Sequence, residues 1–407
     1  MLDYYVRKIR VVGLGWTVRW LVRRFLLEVL WVALLPLTVV GHLLGYRRVP
    51  INVRRIGHLA CEFDALLKEQ GLGRLPVRKW FVVAPEGLAT NPCLLDYWRR
   101  LVPVVRRRGL GLLLEAMGRH GLMVQDNDRH MLALTGRADY YSILAEWADR
   151  PPLLKLEDSH RTEGWNVLRL MGMPEGAWFV CVHAREAGFS VQDETAHAHR
   201  NSDINLLVPA MREIRRRGGW IVRMGDPSMR PLPSMDGVID YALHPLRSDR
   251  MDVFLCAEAR FFVGNTSGLF VVATVFGRPS ALANMVPTSH LAFAPGDISI
   301  PKLIWSKSQQ RYLTFAELFA GPAANFRLAK LFTQAGLRAD ENSAEDLLEL
   351  VVEMLDRQAG LFVESDADRS RQQQFRALLN PHHYCHGTAS SLGSRFLERH
   401  PELLGPE

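Results

Sequence analysis

The sequence of 407 residues contains few cysteines and no C-x-x-C pair. The five cysteines, Cys61, Cys93, Cys181, Cys256 and Cys385, are an odd number spread along the chain. This pattern excludes a disulfide scaffold and a cysteine zinc finger, and it favours a reducing compartment. No residue type dominates and no internal repeat is present, which excludes collagen-like, low-complexity and solenoid proteins.

Two common nucleotide-binding motifs are also missing. Neither the Walker pattern G-x-x-x-x-G-K-[ST] nor the Rossmann pattern G-x-G-x-x-G occurs. The sequence therefore disfavours P-loop and NAD-dependent enzymes, and no cofactor is expected.

Positive charge is concentrated in the first 60 residues. The chain has a net charge of +7, and this segment alone carries ten Lys/Arg against Asp3 and Glu28. The rest of the chain is therefore almost neutral, which argues against nucleic acid as a partner.

The same segment contains an apolar run at 25–45, close to the roughly 20 residues that cross a bilayer. Trp16, Trp20, Leu27 and Trp31 share one helical face, and arginines flank the run on both sides. The positive-inside rule does not allow both flanks in the cytoplasm if the run crosses once. We expect residues 1–46 to bind a membrane surface as an in-plane or re-entrant helix broken near Pro36. A single span and a helix packed only on the protein are the alternatives.

Beyond residue 52, short apolar runs alternate with helical stretches, which indicates an α/β fold with parallel strands. A strand is predicted at 79–85, with a helix opening at Asn91-Pro92. Further strands are predicted at 177–183, 219–224, 237–241, 260–264 and 279–283, and a capped helix at 343–360. Residues after Pro381 are expected to be loosely ordered. The predicted domains are a helical segment at 1–50, α/β domains at 51–173 and 174–340, and a C-terminal region at 341–407.

Polar residues stand at the ends of the five strands of the second predicted domain. Ligands bind at the carboxyl ends of parallel strands, and arginines and helix N-termini suit a diphosphate there. The predicted site for a phosphate or diphosphate ligand comprises His183, Arg185, Arg200, Asn201, Asp226, Asp240, Asn265, Thr266, Ser267, Gly268 and Asn284.

No metal site is expected. His197 and His199 lack a second ligand pair, and the triplets Asp126-Asn127-Asp128 and Asp366-Ala367-Asp368 arise readily by chance. The group His382, His383, Cys385 and His386 is metal-like in composition only.

Several motifs resemble a bacterial family of predicted GT-B-like glycosyltransferases: CVHAREAGF (181–189), HRNSDIN (199–205), RMGDPSM (223–229) and FFVGNTSG (261–268). The segment 54–59 is similar to the first strand-to-loop element of that family. The H-x-R strand end is also distantly similar to fucosyltransferase-type enzymes, which implies diphosphate binding by Arg185. The acidic partner that those enzymes carry two residues after the arginine is missing here, so fucose and guanine are not implied.

This resemblance implies two Rossmann-like α/β domains in a GT-B-like arrangement. It implies metal-independent sugar transfer from a nucleotide-diphosphate donor to a cell-surface glycan or lipid-linked acceptor, at the cytoplasmic face of the bacterial inner membrane. Arg185 would stabilise the leaving diphosphate, and Glu186, Asp226 and His58 are the candidates for the general base. A nucleotide-sugar epimerase of the same fold and a non-catalytic membrane-bound scaffold are the alternatives.

Overall fold

A computed structural model describes residues 14–126, 140–188, 195–381 and 383–405. The helices are α1 (Leu14–Leu43), α2 (Ile56–Gly71), α3 (Pro92–Trp98), α4 (Arg108–Met117), α5 (Tyr140–Trp147), α6 (Asp158–Leu170), α7 (Val208–Arg216), α8 (Asp249–Glu258), α9 (Leu269–Val275), α10 (Phe315–Ala320), α11 (Ala329–Gln334), α12 (Ala344–Gln358), α13 (Asp366–Ala377) and α14 (Ser394–Arg399). The strands are β1 (Tyr46–Arg48), β2 (Lys79–Val83), β3 (Val104–Val105), β4 (Phe179–Val182), β5 (Trp220–Arg223), β6 (Val238–Ile239), β7 (Phe262–Gly264), β8 (Ser280–Met285), β9 (Ile298–Pro301), β10 (Leu303–Ser306), β11 (Arg311–Tyr312), β12 (Leu337–Asp340) and β13 (Ser391–Leu392).

The chain divides into two compact units. Unit 1 comprises Met1–Arg54 and Gly73–Asn127, and unit 2 comprises Arg55–Leu72 and Asp128–Glu407. Helix α2, which begins within the motif at 54–59, belongs to unit 2. That motif stands at the start of a helix rather than at a strand end. The predicted domain boundaries stay predictions.

Unit 1 contains a small parallel sheet in the order β1-β2-β3. The strand expected at 79–85 and the helix expected at Asn91-Pro92 are both confirmed. Asn91 Oδ1 accepts a hydrogen bond from Leu94 N at 2.8 Å, and proline at the first helical position costs no backbone bond.

Helix α1 is continuous through Pro36, so the predicted break there is wrong. Proline removes one hydrogen bond of the helix, but the neighbouring turns remain helical and the Thr38 hydroxyl donates to the Leu34 carbonyl at 2.9 Å. The stretch Thr17–Leu43 is long and apolar enough to cross a membrane by length and composition.

Unit 2 is built on a parallel sheet in the order β13-β9-β8-β7-β4-β5-β6. The five strands predicted for this region are all present. Every residue of β4, β7, β8 and β9 is buried, because helices cover such a sheet on both faces. The α/β fold class is therefore confirmed.

The chain after Pro381 is more ordered than expected. Strand β13 pairs with β9, helix α14 follows, and Cys385 is buried. The Arg376 guanidinium donates to the carbonyls of Thr388 and Ser390, and these long-range bonds hold the segment on the sheet. An antiparallel sheet in the order β11-β10-β12 was also not predicted.

Capping explains two polar patterns of the C-terminal region. Ser343 and Asp346 form the predicted capping box of α12. Asp368 forms the same box with Ser365 at the start of α13, which accounts for the triplet at 366–368 without a metal. The other triplet reaches beyond the described residues, as does His382. His383 contacts Asn325 Oδ1 at 2.7 Å and is part of the folded structure rather than a solvated tail.

Candidate functional site at the carboxyl edge of the unit 2 sheet

Arg223, the last residue of β5, binds two of the predicted site residues. Its guanidinium is fully buried and donates to Asp240 Oδ1 at 2.9 Å and to Glu186 Oε1 at 3.0 Å. The remaining oxygens, Glu186 Oε2 and Asp240 Oδ2, accept from the backbone N–H groups of Arg230 and Leu232. Glu186 and Asp240 therefore hold the loop after β5 against the ends of β4 and β6.

Asp226 and Asn284 also make hydrogen bonds that stabilise the fold, the first locally and the second to a distant residue. Asp226 Oδ1 accepts from Ser228 N at 2.9 Å, as in an Asx turn. Asn284 has a φ of 52°, and its Oδ1 accepts a hydrogen bond from Asn342 N, while Asn342 Oδ1 accepts one from Asn284 N. Asparagine tolerates this left-handed conformation better than most residues, so the fold itself accounts for Asn284.

Asn265 joins the ends of β4 and β7. It is buried, and its Oδ1 accepts from Arg185 N at 3.1 Å. Its Nδ2 donates to the Arg200 carbonyl and to Ser202 Oγ, both at 3.0 Å. The motifs at 183–185, 199–202 and 265–268 are thus brought together, as the predicted site requires.

The side chain of Arg185 lies among the residues of the 197–201 loop. Its Nη1 donates to the His197 carbonyl at 3.3 Å and contacts Asn201 Oδ1. Lys302, which directly follows β9 and is only 4% exposed, donates to the Asn201 carbonyl at 2.7 Å. Burial lowers the pKa of Lys302, and the nearby Glu341 and Asp340 partly offset that effect.

Arg200 reaches the turn that follows β7. Its Nε and Nη2 donate to the Thr266 carbonyl at 3.0 and 2.5 Å. Thr266 Oγ1 in turn accepts from Val286 N at 2.9 Å, which fixes the turn against the end of β8. We call the three side chains Arg185, Arg200 and Lys302 the cationic cluster, and the rings of His197 and His199 lie beside it.

Two polar groups near the cluster lack a hydrogen-bond partner among the described residues. Both ring nitrogens of His199 and the hydroxyl of Ser267 are buried and unpaired. Burial and the neighbouring Arg200, His197, Lys302 and Arg185 lower the pKa of His199 to about 3. Buried polar groups are rarely left unpaired, so these atoms are candidates for contact with a ligand.

His183 directly follows β4 and is buried. Burial lowers its pKa to about 4, and its Nδ1 lies 3.1 Å from the Met224 carbonyl oxygen. The neutral ring therefore donates from Nδ1 to that carbonyl. His183 supports the ends of β4 and β5, and its direct contact with a nucleotide sugar stays a prediction.

The start of α2 packs on the turn that precedes α9. A Cβ at Gly57 would lie 3.0 Å from Gly268 Cα, and a Cβ at Gly268 would lie 2.8 Å from Gly57 N. Gly268 is therefore covered by α2, and α9 has only 7 residues. The phosphate site predicted at Asn265, Thr266, Ser267 and Gly268 stays a prediction, and the contact with α2 leaves no room for a side chain at Gly268.

His58 stands beside that contact. Its Nδ1 lies 2.6 Å from Glu62 Oε1 one turn later, and the Glu62 side chain is fully buried. The His58 side chain keeps 17% exposure. An imidazole held by a buried carboxylate can take a proton at its other nitrogen. Of the three predicted base candidates, His58 has this arrangement.

Sequence reasoning missed Glu62, Lys302 and Arg223. The i, i+4 spacing of His58 and Glu62 was a usable signal, because residues four apart share a helix face. Lys302 follows a strand that was not predicted, and Arg223 belongs to a strand whose pairing decides its partners. Among the residues that the structure describes, no group of three or more His, Cys, Asp or Glu side chains is placed to hold a metal ion.

Comparisons with known proteins found no matching family model and no matching curated protein. Among solved structures, a glycosyl transferase family 9 protein from Veillonella parvula is similar, with 10% identity, a TM-score of 0.34, and coverage of 75% of this chain and 80% of that chain. The iron-containing dodecameric glycosyltransferase TibC from enterotoxigenic E. coli matches with 11% identity, a TM-score of 0.36, and coverage of 62% of each chain. The dodecameric iron-containing heptosyltransferase TibC in complex with ADP-D-beta-D-heptose matches with 13% identity and a TM-score of 0.31, covering 62% of this chain and 61% of that chain. At these TM-scores the similarity identifies neither the family nor the function of this chain.

Proposed function

We propose that this protein is a glycosyltransferase whose cationic cluster binds the diphosphate of a nucleotide-sugar donor. The observation that carries the proposal is the convergence of Arg185, Arg200 and Lys302 with the unpaired ring of His199 and the unpaired hydroxyl of Ser267. Fixed cations and hydrogen-bond donors in a partly buried site stabilise charge that develops on a leaving diphosphate. The transfer is proposed to need no metal.

His58 is the proposed general base for the acceptor hydroxyl, with Glu62 holding its ring. The helix that carries His58 contacts Gly268, so the ring stands next to the turn that Arg200 binds. Asp226 and Glu186 are weaker candidates because their oxygens already bind the Ser228 N–H and the Arg223 guanidinium. The acceptor is proposed to be a cell-surface glycan or a lipid-linked sugar, and the fold a GT-B-like arrangement.

The proposed location is the cytoplasmic face of the bacterial inner membrane, with residues 1–46 on the lipid surface. Nucleotide sugars are cytoplasmic, so the donor site must face that side. An engineered cysteine near Arg48 should stay unlabelled when a membrane-impermeant reagent is added to intact cells. Labelling would contradict both this location and the transferase proposal.

Binding of nucleoside diphosphates tests the donor site directly. Calorimetry with ADP, GDP, UDP and CDP identifies the base, and Arg185→Ala and Arg200→Ala should each weaken the best binder by about 1.5–3 kcal/mol. Arg212→Ala, an exposed arginine of α7, is the matched control and should change nothing. Unchanged affinity in the Arg185→Ala and Arg200→Ala variants would overturn the assignment.

Product release separates the proposal from its alternatives. A transferase releases the nucleoside diphosphate when donor and acceptor are both present. An epimerase converts the donor without needing acceptor, and a scaffold binds it without turnover. Donor binding with no release in the presence of membrane glycolipid fractions would favour the scaffold.

A further inference from the structure

Helix α1 is attached to the rest of unit 1 by one face. Arg23 Nη2 lies 2.8 Å from Glu115 Oε2, and Glu28 pairs with Arg119 and with His120. His42 Nδ1 contacts the Leu122 carbonyl near the other end of the helix. Leu27 and Thr38, on the same face, are buried.

The opposite face of α1 is exposed and apolar, in contrast to the attached face with its charged and polar side chains. A contiguous apolar helix face that the protein leaves uncovered is typical of an interaction site. The exposed apolar side chains on it are Val18, Leu21, Val22, Phe25, Leu26, Val29, Val32, Leu37, Val39, Val40 and Leu43.

Helix α4, which lies beside α1, carries three exposed leucines of its own. Gly111 faces the sheet, since a Cβ there would lie 3.0 Å from Val83 Cγ1. Leu110 and Leu113 project from the other side of α4 and are 47% and 40% exposed, and Leu112 is 44% exposed. The ion pair of Arg23 with Glu115 sets α4 directly beside α1.

The contacts of α1 determine how it can meet a bilayer. They extend from Arg23 to His42, about 28 Å along the axis at roughly 1.5 Å per residue, which nearly equals the thickness of the hydrocarbon core. A crossing helix would carry the 119–124 segment and its ion pairs into lipid. That segment is a short 3-10 turn and loop whose backbone groups are not all paired within a helix. Irregular backbone exposed to lipid is strongly unfavourable, so a membrane-bound α1 would have to lie in the plane of the bilayer.

The exposed basic side chains of α1 and α4 favour a membrane that carries negative charge. Arg107 and Arg108 are exposed at the start of α4, and Arg24 stacks on Trp20 of α1 with 5.4 Å to the ring centroid. The one carboxylate within the apolar run, Glu28, forms an ion pair with Arg119, and His120 Nε2 lies 2.9 Å from its other oxygen. This arrangement favours a leaflet that contains anionic lipid.

We propose that α1 and α4 together form a monotopic docking surface for an anionic lipid leaflet, with Leu110, Leu112 and Leu113 inserted beside the apolar face of α1. The inference extends the membrane association proposed above for residues 1–46. It adds a second helix, and it commits to an in-plane orientation.

A fluorescent reporter on α4 tests the surface. All five native cysteines are buried, so an engineered surface cysteine can be labelled selectively in the full-length protein. Leu113→Cys carrying an NBD group should show a blue shift with vesicles of phosphatidylcholine and phosphatidylglycerol, and a smaller one with phosphatidylcholine alone. Val363→Cys, an exposed apolar position of unit 2, is the matched control and should not shift.

Partitioning of unlabelled variants provides a second measurement. The double variant Leu110→Gln with Leu113→Gln should sediment with vesicles about tenfold less than the wild type, because it loses two leucine side chains that the bilayer would otherwise bury. Leu361→Gln with Val363→Gln should sediment as the wild type does. Nucleoside-diphosphate affinity should stay normal in both variants, which separates this test from that of the donor site.

Each other outcome contradicts the proposal. Absence of vesicle binding by the wild type would overturn the membrane association as a whole. Vesicle binding without a blue shift of the NBD emission at residue 113 would mean that α4 does not enter the lipid. Equal shifts at residues 113 and 363 would mean that the protein adsorbs to vesicles without using the α1 and α4 surface.

Discussion

Arg223 Nη2 lies 3.0 Å from Glu186 Oε1, and neither side chain is more than 5% exposed. This buried ion pair joins the ends of β4 and β5 at the edge of the sheet where the donor site is proposed. Glu186 was expected to act as a base, and its position makes a structural role the simpler explanation.

Removing one partner of this pair should destabilise the protein. Glu186→Ala leaves the buried positive charge of Arg223 paired with only one carboxylate, Asp240, so we expect a loss of about 3 kcal/mol in the free energy of unfolding. Urea denaturation measures this loss. Glu163→Ala, which removes an exposed pair with Arg250, should cost less than about 1 kcal/mol. A Glu186→Ala variant with normal stability and greatly reduced kcat would instead make Glu186 catalytic.

Loss of the proposed base should lower kcat without weakening donor binding. His58→Gln is expected to reduce kcat by a factor of about 100 to 10,000, and Glu62→Gln by less, because it only removes the charge that holds the ring. Steady-state kinetics and calorimetry with the nucleoside diphosphate separate the two quantities. Glu69→Gln, another buried glutamate of α2, is the control for helix stability. If Glu69→Gln lowered kcat as much as Glu62→Gln, the proposal that Glu62 holds the His58 ring would be contradicted.

A methyl group at Gly268 should displace the start of α2. Its Cβ would lie 2.8 Å from Gly57 N, and backbone atoms at that distance must move. We expect Gly268→Ala to lower kcat through a shift of His58 and to lower the melting temperature. Gly296→Ala meets only Pro279 Cβ at 3.6 Å and should resemble the wild type in both measurements. Unchanged kcat and melting temperature in Gly268→Ala would contradict this packing.

Acidification should destabilise the fold through His183. Burial lowers its pKa to about 4, whereas an unfolded histidine titrates near pH 6.5. The unfolded state therefore binds more protons between these values. The stability that the neutral ring provides is complete above about pH 6.5 and falls by about 1.4 kcal/mol per pH unit toward pH 4. His183→Asn can still donate to the Met224 carbonyl, so its unfolding free energy should depend less on pH in this range. Equal slopes for both proteins would contradict the burial of a neutral ring.

Turnover should survive chelation of metal ions. The cationic cluster is proposed to neutralise the leaving diphosphate, so excess EDTA should leave the rate of nucleoside-diphosphate release unchanged. Loss of activity with EDTA and its recovery with Mn²⁺ or Mg²⁺ would contradict this expectation. It would direct attention to the triplet at 126–128.

Local sequence patterns determined the elements of this protein. Short apolar runs located five of the seven strands of the unit 2 parallel sheet, and Asn91-Pro92 and Ser343 with Asp346 marked helix starts. These signals act between residues a few positions apart. They do not depend on how the chain folds back, and so they were readable from the sequence.

Only the tertiary structure decided which partners the strand-end residues have. Arg223 binds Glu186 and Asp240, and Asn284 binds Asn342. Helix α2 contacts Gly268 through Gly57. The two residues of each of these pairs are 17 to 211 positions apart in the sequence. The same holds for the segment after Pro381, which gains order from bonds to Arg376 and from pairing with β9. Strand order and helix packing create these contacts. A polar residue at a strand end therefore marks the edge where a ligand can bind, but the neighbours that the fold supplies decide whether it faces the ligand or supports the sheet.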